Sequence, residues 1–411
     1  MTSPLQLPEY RAFLQLRFFL ATGWHMQGVV IAWYVYAITK DPFMLGMVGL
    51  AEAIPAIGAA LPMGYVIERM EKRRAVRIAL TLIVVSAMIS AVLLQPSMLP
   101  ALGKPTVIGG LLAMIMVNGF ARSMYSPSMF SMLSAIVPRD LIPQGTALSS
   151  TVWQGAVISG PLAAGLVYGH FGVTVASITY VLFMIIGSLG VLRLTPKPAL
   201  LKGRGSSMKD DLTKGLDFIF ANKIILGALS LDLFAVLFGG VTALLPVFAD
   251  TVLHVGESGL GLLRASMSIG SVVMMAWLSY RPPARNAGRN MLLSVAAYGG
   301  CMLSFAMSTS FALSVGLLVL AGIFDSVSVV TRQTILQLYT PEDMKGRVAA
   351  ANTMFVSSSN ELGAVESGIS AKLFGTVPSV LIGGTITLIV VAVVTLTSPA
   401  LRAMDLSQNE I

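Results

Sequence analysis

The chain has 411 residues, of which 55% are hydrophobic and only 11% charged, and its formal net charge is +8. A soluble domain carries about 25% charged residues, so a mean hydropathy of +0.81 excludes a water-soluble fold and makes lipid the solvent. The surplus of Lys and Arg is then expected in loops on one side of a membrane, where it sets topology, not on a nucleic-acid-binding face. The single cysteine, Cys301, excludes an internal disulfide.

In chain order, the stretch from Met1 to Arg17 is short, polar and basic. The apolar run behind it is too long for a cleaved signal and reads as a retained helix. Twelve membrane-crossing helices are predicted, at about 12–38, 43–66, 76–95, 105–131, 144–168, 173–193, 223–250, 256–281, 289–308, 311–337, 345–370 and 376–399. Continuous apolar runs of this length satisfy their own backbone groups only as helices, whereas barrel strands would be about half as long and would alternate. Alternate connections carry Arg69, Lys72, Arg73, Arg74 and Arg77; Arg139; Lys197, Lys202, Arg204, Lys209 and Lys214; Arg281, Arg285 and Arg289; and Lys345 and Arg347. The others carry little beyond Lys40, Lys104 and Lys372. This asymmetry places the first set, and both termini, in the cytoplasm.

The longest polar connection falls at the middle of the chain and divides it into an N-terminal six-helix bundle (1–195), a cytoplasmic linker (196–222) and a C-terminal six-helix bundle (223–411). The linker holds an amphipathic segment near Leu212 to Phe220 that is expected to lie on the membrane surface. The halves look related. At an offset of 203 residues Pro138 meets Pro341, Asp140 meets Asp343, Ala147 meets Ala350, Gly160 meets Gly363, Gly165 meets Gly368, and Phe171-Gly172 meets Phe374-Gly375. The expected fold is therefore an all-α membrane protein of two pseudo-symmetric six-helix bundles, with substrate bound between them.

Between the second and third helices the chain reads Gly64-Tyr-Val-Ile-Glu68-Arg69-Met-Glu-Lys-Arg73-Arg74. This resembles the signature of the major facilitator superfamily, with Glu68 where Asp is commoner. The resemblance implies a gate in which Gly64, Glu68, Arg69, Arg73 and Arg74 latch the two halves on the cytoplasmic side. Such charges pair in one conformation and hydrate in the other. Further stretches are Gln27 to Tyr36 with Asp41-Pro42 and Leu45-Gly46, Ala121-Arg122 to Pro127, Val137-Pro138-Arg139-Asp140 with Ala147-Leu148, and Pro341-Glu342-Asp343 to Val348. They are similar to the transmembrane secretion effector branch of that superfamily, the branch of the enterobactin exporter and of macrolide-efflux-type proteins.

A charge at the bilayer centre costs at least about 2.5–3.5 kcal/mol on insertion scales, so intramembrane charges are the candidate functional groups. Glu52 reads as a titrating carboxylate, or as half of a structural ion pair with Arg264. Asp232 has no charged neighbour in sequence. It reads as a proton site, a cavity-wall contact or a structural hydrogen-bonding group. Arg122 and Asp325 correspond under the 203-residue offset. They are candidates to face each other, and Arg122 alone offers a fork for an anionic substrate. Arg332, two turns beyond Asp325, reads as a gate residue or as a snorkelling cation. Glu361, beside Asn360 and three serines, marks a polar face of the eleventh helix, while Glu366 lies well around that helix from it. In the first helix His25, Gln27, Trp24 and Trp33 either line the cavity or pack, and a structural His25 is the commoner case.

No Gly-rich loop ends in Lys-Ser or Lys-Thr, and no Cys/His cluster has metal-site spacing. Nor do three scattered histidines support a hydrolytic triad. The reading is a non-enzymatic secondary transporter in a bacterial inner membrane, with no cofactor and no metal site. Its partners would be a small-molecule substrate, protons and membrane lipids, with no nucleic acid, and it would be a monomer. It would carry out proton-coupled efflux of a small amphipathic compound, a siderophore or drug, by alternating access. The alternatives are a lysophospholipid flippase, a transporter of a metal or its chelate on the same fold, and a receptor or assembly partner that has lost transport.

Overall fold

The computed structural model describes residues 4–138, 141–198, 208–280, 286–341 and 344–405. The side chains of some helical positions, Gly64 and Glu68 among them, lie outside the described residues, as do Arg139, Asp140, Glu342 and Asp343. Every regular element among the described residues is helical. The first half holds α1 (Pro8–Thr39), α2 (Pro42–Glu68), α3 (Lys72–Leu93), α4 (Lys104–Ile136) and α5 (Ile142–Leu189). A linker helix, α6 (Met208–Ala221), precedes α7 (Lys223–Gly239), α8 (Gly256–Tyr280), α9 (Ala287–Met307), α10 (Phe311–Tyr339), α11 (Lys345–Phe374) and α12 (Thr376–Thr397).

Among the described residues, nine runs are long and apolar enough to cross a membrane. One of them, Gln144–Arg193, is 50 residues long. At about 1.5 Å per residue that exceeds twice the hydrocarbon thickness. It is broken at Gly172, where φ is 77° and ψ 178°, and so supplies two crossings. Helices α1 and α11, of 32 and 30 residues, are long enough but less apolar. The first carries Thr22, His25 and Gln27, and the second carries Asn352, Asn360, Glu361 and Glu366. With these two the set is consistent with twelve crossings, and the chain is an all-α membrane protein.

Local chemistry sets the boundaries. Asp41 caps α2 by accepting the Phe43 N–H at 3.0 Å, with Pro42 in the first turn. Glu71 caps α3 by accepting the N–H groups of Arg73 (2.8 Å) and Arg74 (3.1 Å), and Asn222 caps α7 through Ile224 and Ile225. The break at Gly172 recurs at Gly375 (φ 93°, ψ 160°), which separates α11 from α12. Both glycines occupy a region that side chains disfavour. They are the pair that coincides under the sequence offset, so the repeat is present in the backbone.

The chain divides into two compact units. Unit 1 comprises residues 1–203 with 255–265, and unit 2 comprises 204–254 with 266–411. In unit 1, α1 packs along α5, and both α2 and α3 pack on α4. A Cβ at Gly160 would lie 2.8 Å from the Thr22 carbonyl oxygen and 2.6 Å from His25 Cβ, so α1 and α5 meet at backbone contact, as small residues allow in lipid. In unit 2, α9 packs on α10 and α12, and α7 on α11 and α12. A Cβ at Gly363 would lie 3.0 Å from the Leu237 carbonyl oxygen there, repeating the role of Gly160. The linker helix α6 buries Ile219 and packs Leu216 and Phe218 against the core of unit 2, formed by Ile225, Leu229, Met291, Ile335 and Val394 among others. It exposes Thr213, Lys214, Asp217 and Phe220.

Candidate functional site

In unit 1 a buried polar network joins three helices. The Asn118 amide donates to Gln27 Oε1 at 3.1 Å, Ser86 Oγ donates to Asn118 Oδ1 at 2.8 Å, and Gln27 Nε2 reaches Ser90 Oγ at 3.4 Å. Ser90 Oγ in turn donates to the Ser86 carbonyl at 2.7 Å. Every side chain in this network is buried, and each amide oxygen and hydroxyl has a partner, as a water-free interior requires. Gln27 is thus committed to helix packing.

Charges and rings form a second set. Arg122 on α4 donates to Glu52 Oε1 on α2 at 3.1 Å and lies over the Trp24 ring, 5.9 Å from its centroid. The expected partner of Glu52 was Arg264, but the structure pairs it with Arg122 because α2 and α4 are packed neighbours. Arg264, on the portion of α8 that belongs to unit 1, keeps a buried Nε without a hydrogen-bond partner. Trp33 donates its indole N–H to Glu257 Oε1 at 3.0 Å. His25 packs edge-on against Trp153 at 5.6 Å, and its buried Nε2 has no partner. Arg17 lies over the Trp153 ring, 5.0 Å from its centroid, and donates to the Ser149 carbonyl. Arg17, Trp153 and Glu257 were not singled out from the sequence. Arg17 looks like the end of a polar leader, and Glu257 like the first turn of a helix.

The basic end of unit 1 is a clamp. Arg73 donates to the carbonyls of Val191 (3.2 Å) and Leu192 (3.3 Å) beyond the C-terminus of α5, where a cation satisfies orphan carbonyls. Lys72 Nζ donates to the Ser131 carbonyl at 3.1 Å. Glu9 accepts from the Thr195 N–H (2.7 Å), the Thr195 hydroxyl (2.8 Å) and Lys197 Nζ (3.2 Å). Burial alone would raise the Glu9 pKa, but these three hydrogen bonds hold it below its ordinary value. Glu71 also accepts the Lys197 N–H. Of the expected gate residues, Arg73 is spent on this clamp, Arg69 and Arg74 are exposed, and the side chains of Gly64 and Glu68 lie outside the described residues. The acids that sequence reading missed here are Glu9 and Glu71. Glu9 stands in a helix first turn and Glu71 at a cap position, where an acid has a local helical role that carries no mark of a distant partner.

Unit 2 holds its charges in the core. Arg332 on α10 forms an ion pair with Asp232 on α7, and the two side chains are 3% and 7% exposed. This corrects two expectations. Asp232 is not a lone acid, and Arg332 neither snorkels nor stands hydrated at a gate, because its guanidinium is drawn to the buried carboxylate. A cavity of about 10 Å³, close to the room one water needs, is lined by Asp232, Ala235, Val236, Val295, Tyr298, Asp325 and Ser328. On α10, Asp325, Ser328 and Arg332 stand at i, i+3 and i+7, one face of the helix. The Tyr298 hydroxyl is committed to the Gly239 carbonyl at 3.1 Å, whereas Ser328 Oγ is buried without a partner. No hydrogen bond or ion pair of Asp325 occurs among the described residues. Glu361 is half-buried on α11, next to an exposed Asn360 whose amide donates to the Val356 carbonyl. It does not line this cavity.

Residues 14–364 match the Major Facilitator Superfamily family model. The chain is 24% identical over 355 residues to the enterobactin exporter EntS of Shigella boydii serotype 18, covering 83% of this chain and 80% of that protein. The enterobactin exporter EntS of Escherichia coli strain SMS-3-5 matches with the same identity and coverage. Among solved structures, a bacterial homologue of the iron transporter ferroportin in its inward-facing state superposes with a TM-score of 0.74 at 13% identity, covering 97% of this chain and 99% of that one. The nucleoside transporter NupG gives 0.69 at 15% identity, covering 94% and 99%. The chain is a transporter and not an enzyme, its fold is the major facilitator fold, and it belongs to the major facilitator superfamily.

Proposed function

We propose that the protein is a proton-driven exporter of a small amphipathic compound of the siderophore class. It works by alternating access in a bacterial cytoplasmic membrane, with both termini inside. The observation that carries the reading is the pair of ionisable side chains held in crossing helices short of partners, Arg264 in unit 1 and Asp325 in unit 2. A static bundle gains nothing from such groups, whereas a carrier that must bind charge and then release it needs them. The enterobactin export named for the relatives supports the substrate class. The ring and guanidinium pairs of unit 1, Arg122 with Trp24 and Arg17 with Trp153, suit an anionic or aromatic cargo. Arg69 and Arg74, with Glu68, are the groups proposed to pair at the cytoplasmic end in one conformation and to hydrate in the other.

The test is a thermal-shift screen of the purified protein in detergent with siderophores, drugs, lysolipids and metal ions at two pH values. Stabilisation by siderophores, stronger at one pH, is the expected result. Stabilisation by lysolipid or free metal alone would sink the substrate class.

A further inference from the structure

The geometry points to Asp325, and not Asp232, as the carboxylate that takes up the coupling proton, through the water-sized cavity between α7, α9 and α10. The inference rests on the proton-driven reading above and names the site at which it operates.

The charges around the cavity do not sum to zero. Asp232 and Arg332 cancel as a buried ion pair, and Asp325 is left as the uncompensated carboxylate on the same helix face as Arg332. From the neighbouring elements, α7 presents Asp232, and α9 presents Tyr298, with Cys301 close to it. The part of α8 from Ser266 to Leu278 carries no ionisable residue, and α11 contributes no residue to the lining. Nothing among the described residues therefore offers Asp325 a counter-charge of its own. A second observation marks the place as built for a ligand. Ser328, 2% exposed, keeps its hydroxyl without a partner in the cavity wall one turn from Asp325.

The step balances with water as the only co-reactant. A hydronium ion reaching the cavity gives its proton to an Asp325 oxygen and leaves neutral water behind, and the cluster becomes uncharged. The new carboxyl O–H then has an acceptor in Ser328 Oγ or the water. Deprotonation returns the proton by the same route. Asp232 is prevented from serving, because protonating it would strand Arg332 as a buried cation.

The experiment is infrared difference spectroscopy of the full-length protein in detergent after a pH jump, with no cargo present. The wild type is expected to show a protonated-carboxyl stretch. Asp325→Asn should abolish it, Asp232→Asn should retain it, Asp325→Glu should shift its frequency, and Ser328→Ala should shift it as a hydrogen bond is lost. A carboxyl band that survives in Asp325→Asn, or that vanishes only in Asp232→Asn, overturns the assignment. If Asp325→Asn does not fold, the Asp325→Glu shift decides alone, and an unshifted band overturns it. Because the readout needs no cargo, a wrong substrate class leaves it unaffected. In proteoliposomes, a wild type accelerated by a sodium gradient at fixed pH, and not by a pH gradient, would overturn both the proton and the site.

Discussion

Replacing Arg332 by Met should be among the most destabilising single changes in unit 2, because it strips the counter-charge from Asp232. The two side chains are 3% and 7% exposed, so the small value typical of surface pairs, about 0–1 kcal/mol, does not apply. Removing one partner of a desolvated pair costs about 3–5 kcal/mol, since the other charge stays behind uncompensated, whereas replacing both by apolar residues of similar volume is neutral or stabilising. Arg332→Met is therefore expected to lose about 3–5 kcal/mol of unfolding free energy. Asp232→Leu should lose a comparable amount, because it strands Arg332 as a buried cation. The double variant Asp232→Leu/Arg332→Met should recover most of the loss. The assay is reversible unfolding in mixed micelles, read as a double-mutant cycle, with an expected coupling of about 2 kcal/mol or more. Additive single effects, or an Arg332→Met variant within about 1 kcal/mol of wild type, would refute the buried pair.

Glu9 lies ahead of the crossing part of α1, and its folded pKa is held below the ordinary 4.5 by Thr195 and Lys197. Its contribution is therefore complete above that value and lost as pH falls through the lower folded one. Glu9→Gln should flatten the acid limb of a stability-versus-pH curve and leave the curve unchanged in slope at neutral pH. Gln27→Leu leaves the amide of Asn118 without its acceptor in a buried network and is expected to cost about 1–3 kcal/mol, measurable by thermal unfolding in detergent. Gly160→Ala drives a methyl into the Thr22 carbonyl and should cost about 1–3 kcal/mol by forcing α1 from α5. A charge swap of Glu52→Arg with Arg122→Glu should restore whatever either single change loses, about 0–1 kcal/mol for this half-exposed pair. Glu52→Arg with Arg264→Glu should not.

The crossing helices were legible because lipid leaves only one way to satisfy a backbone, so hydropathy places most of them and length places the less apolar α1 and α11. The repeat was legible because Gly172 and Gly375 must adopt a conformation that side chains disfavour, which preserves both at the same offset. Pairing was not legible. Glu52 has candidate partners on several helices, and only the packing of α2 on α4 selects Arg122. Asp232 and Arg332 are 100 residues apart, and neither carries a local mark of the other, so each was read alone. The clamp at the basic end was hidden for a different reason. Arg73 acts on backbone carbonyls, which every sequence possesses and no sequence advertises. The face made by Asp325, Ser328 and Arg332 was visible as helical spacing, but its lack of balance became apparent only once Asp232 had been spent on Arg332.

The most direct test of the transport reading is flux in proteoliposomes holding only this protein, with labelled enterobactin on one side and an imposed pH gradient. Siderophore movement above that of empty liposomes is expected, accelerated by the gradient and abolished when a protonophore collapses it. Siderophore flux equal to that of empty liposomes, with lysophospholipid or free iron moved instead, would contradict it.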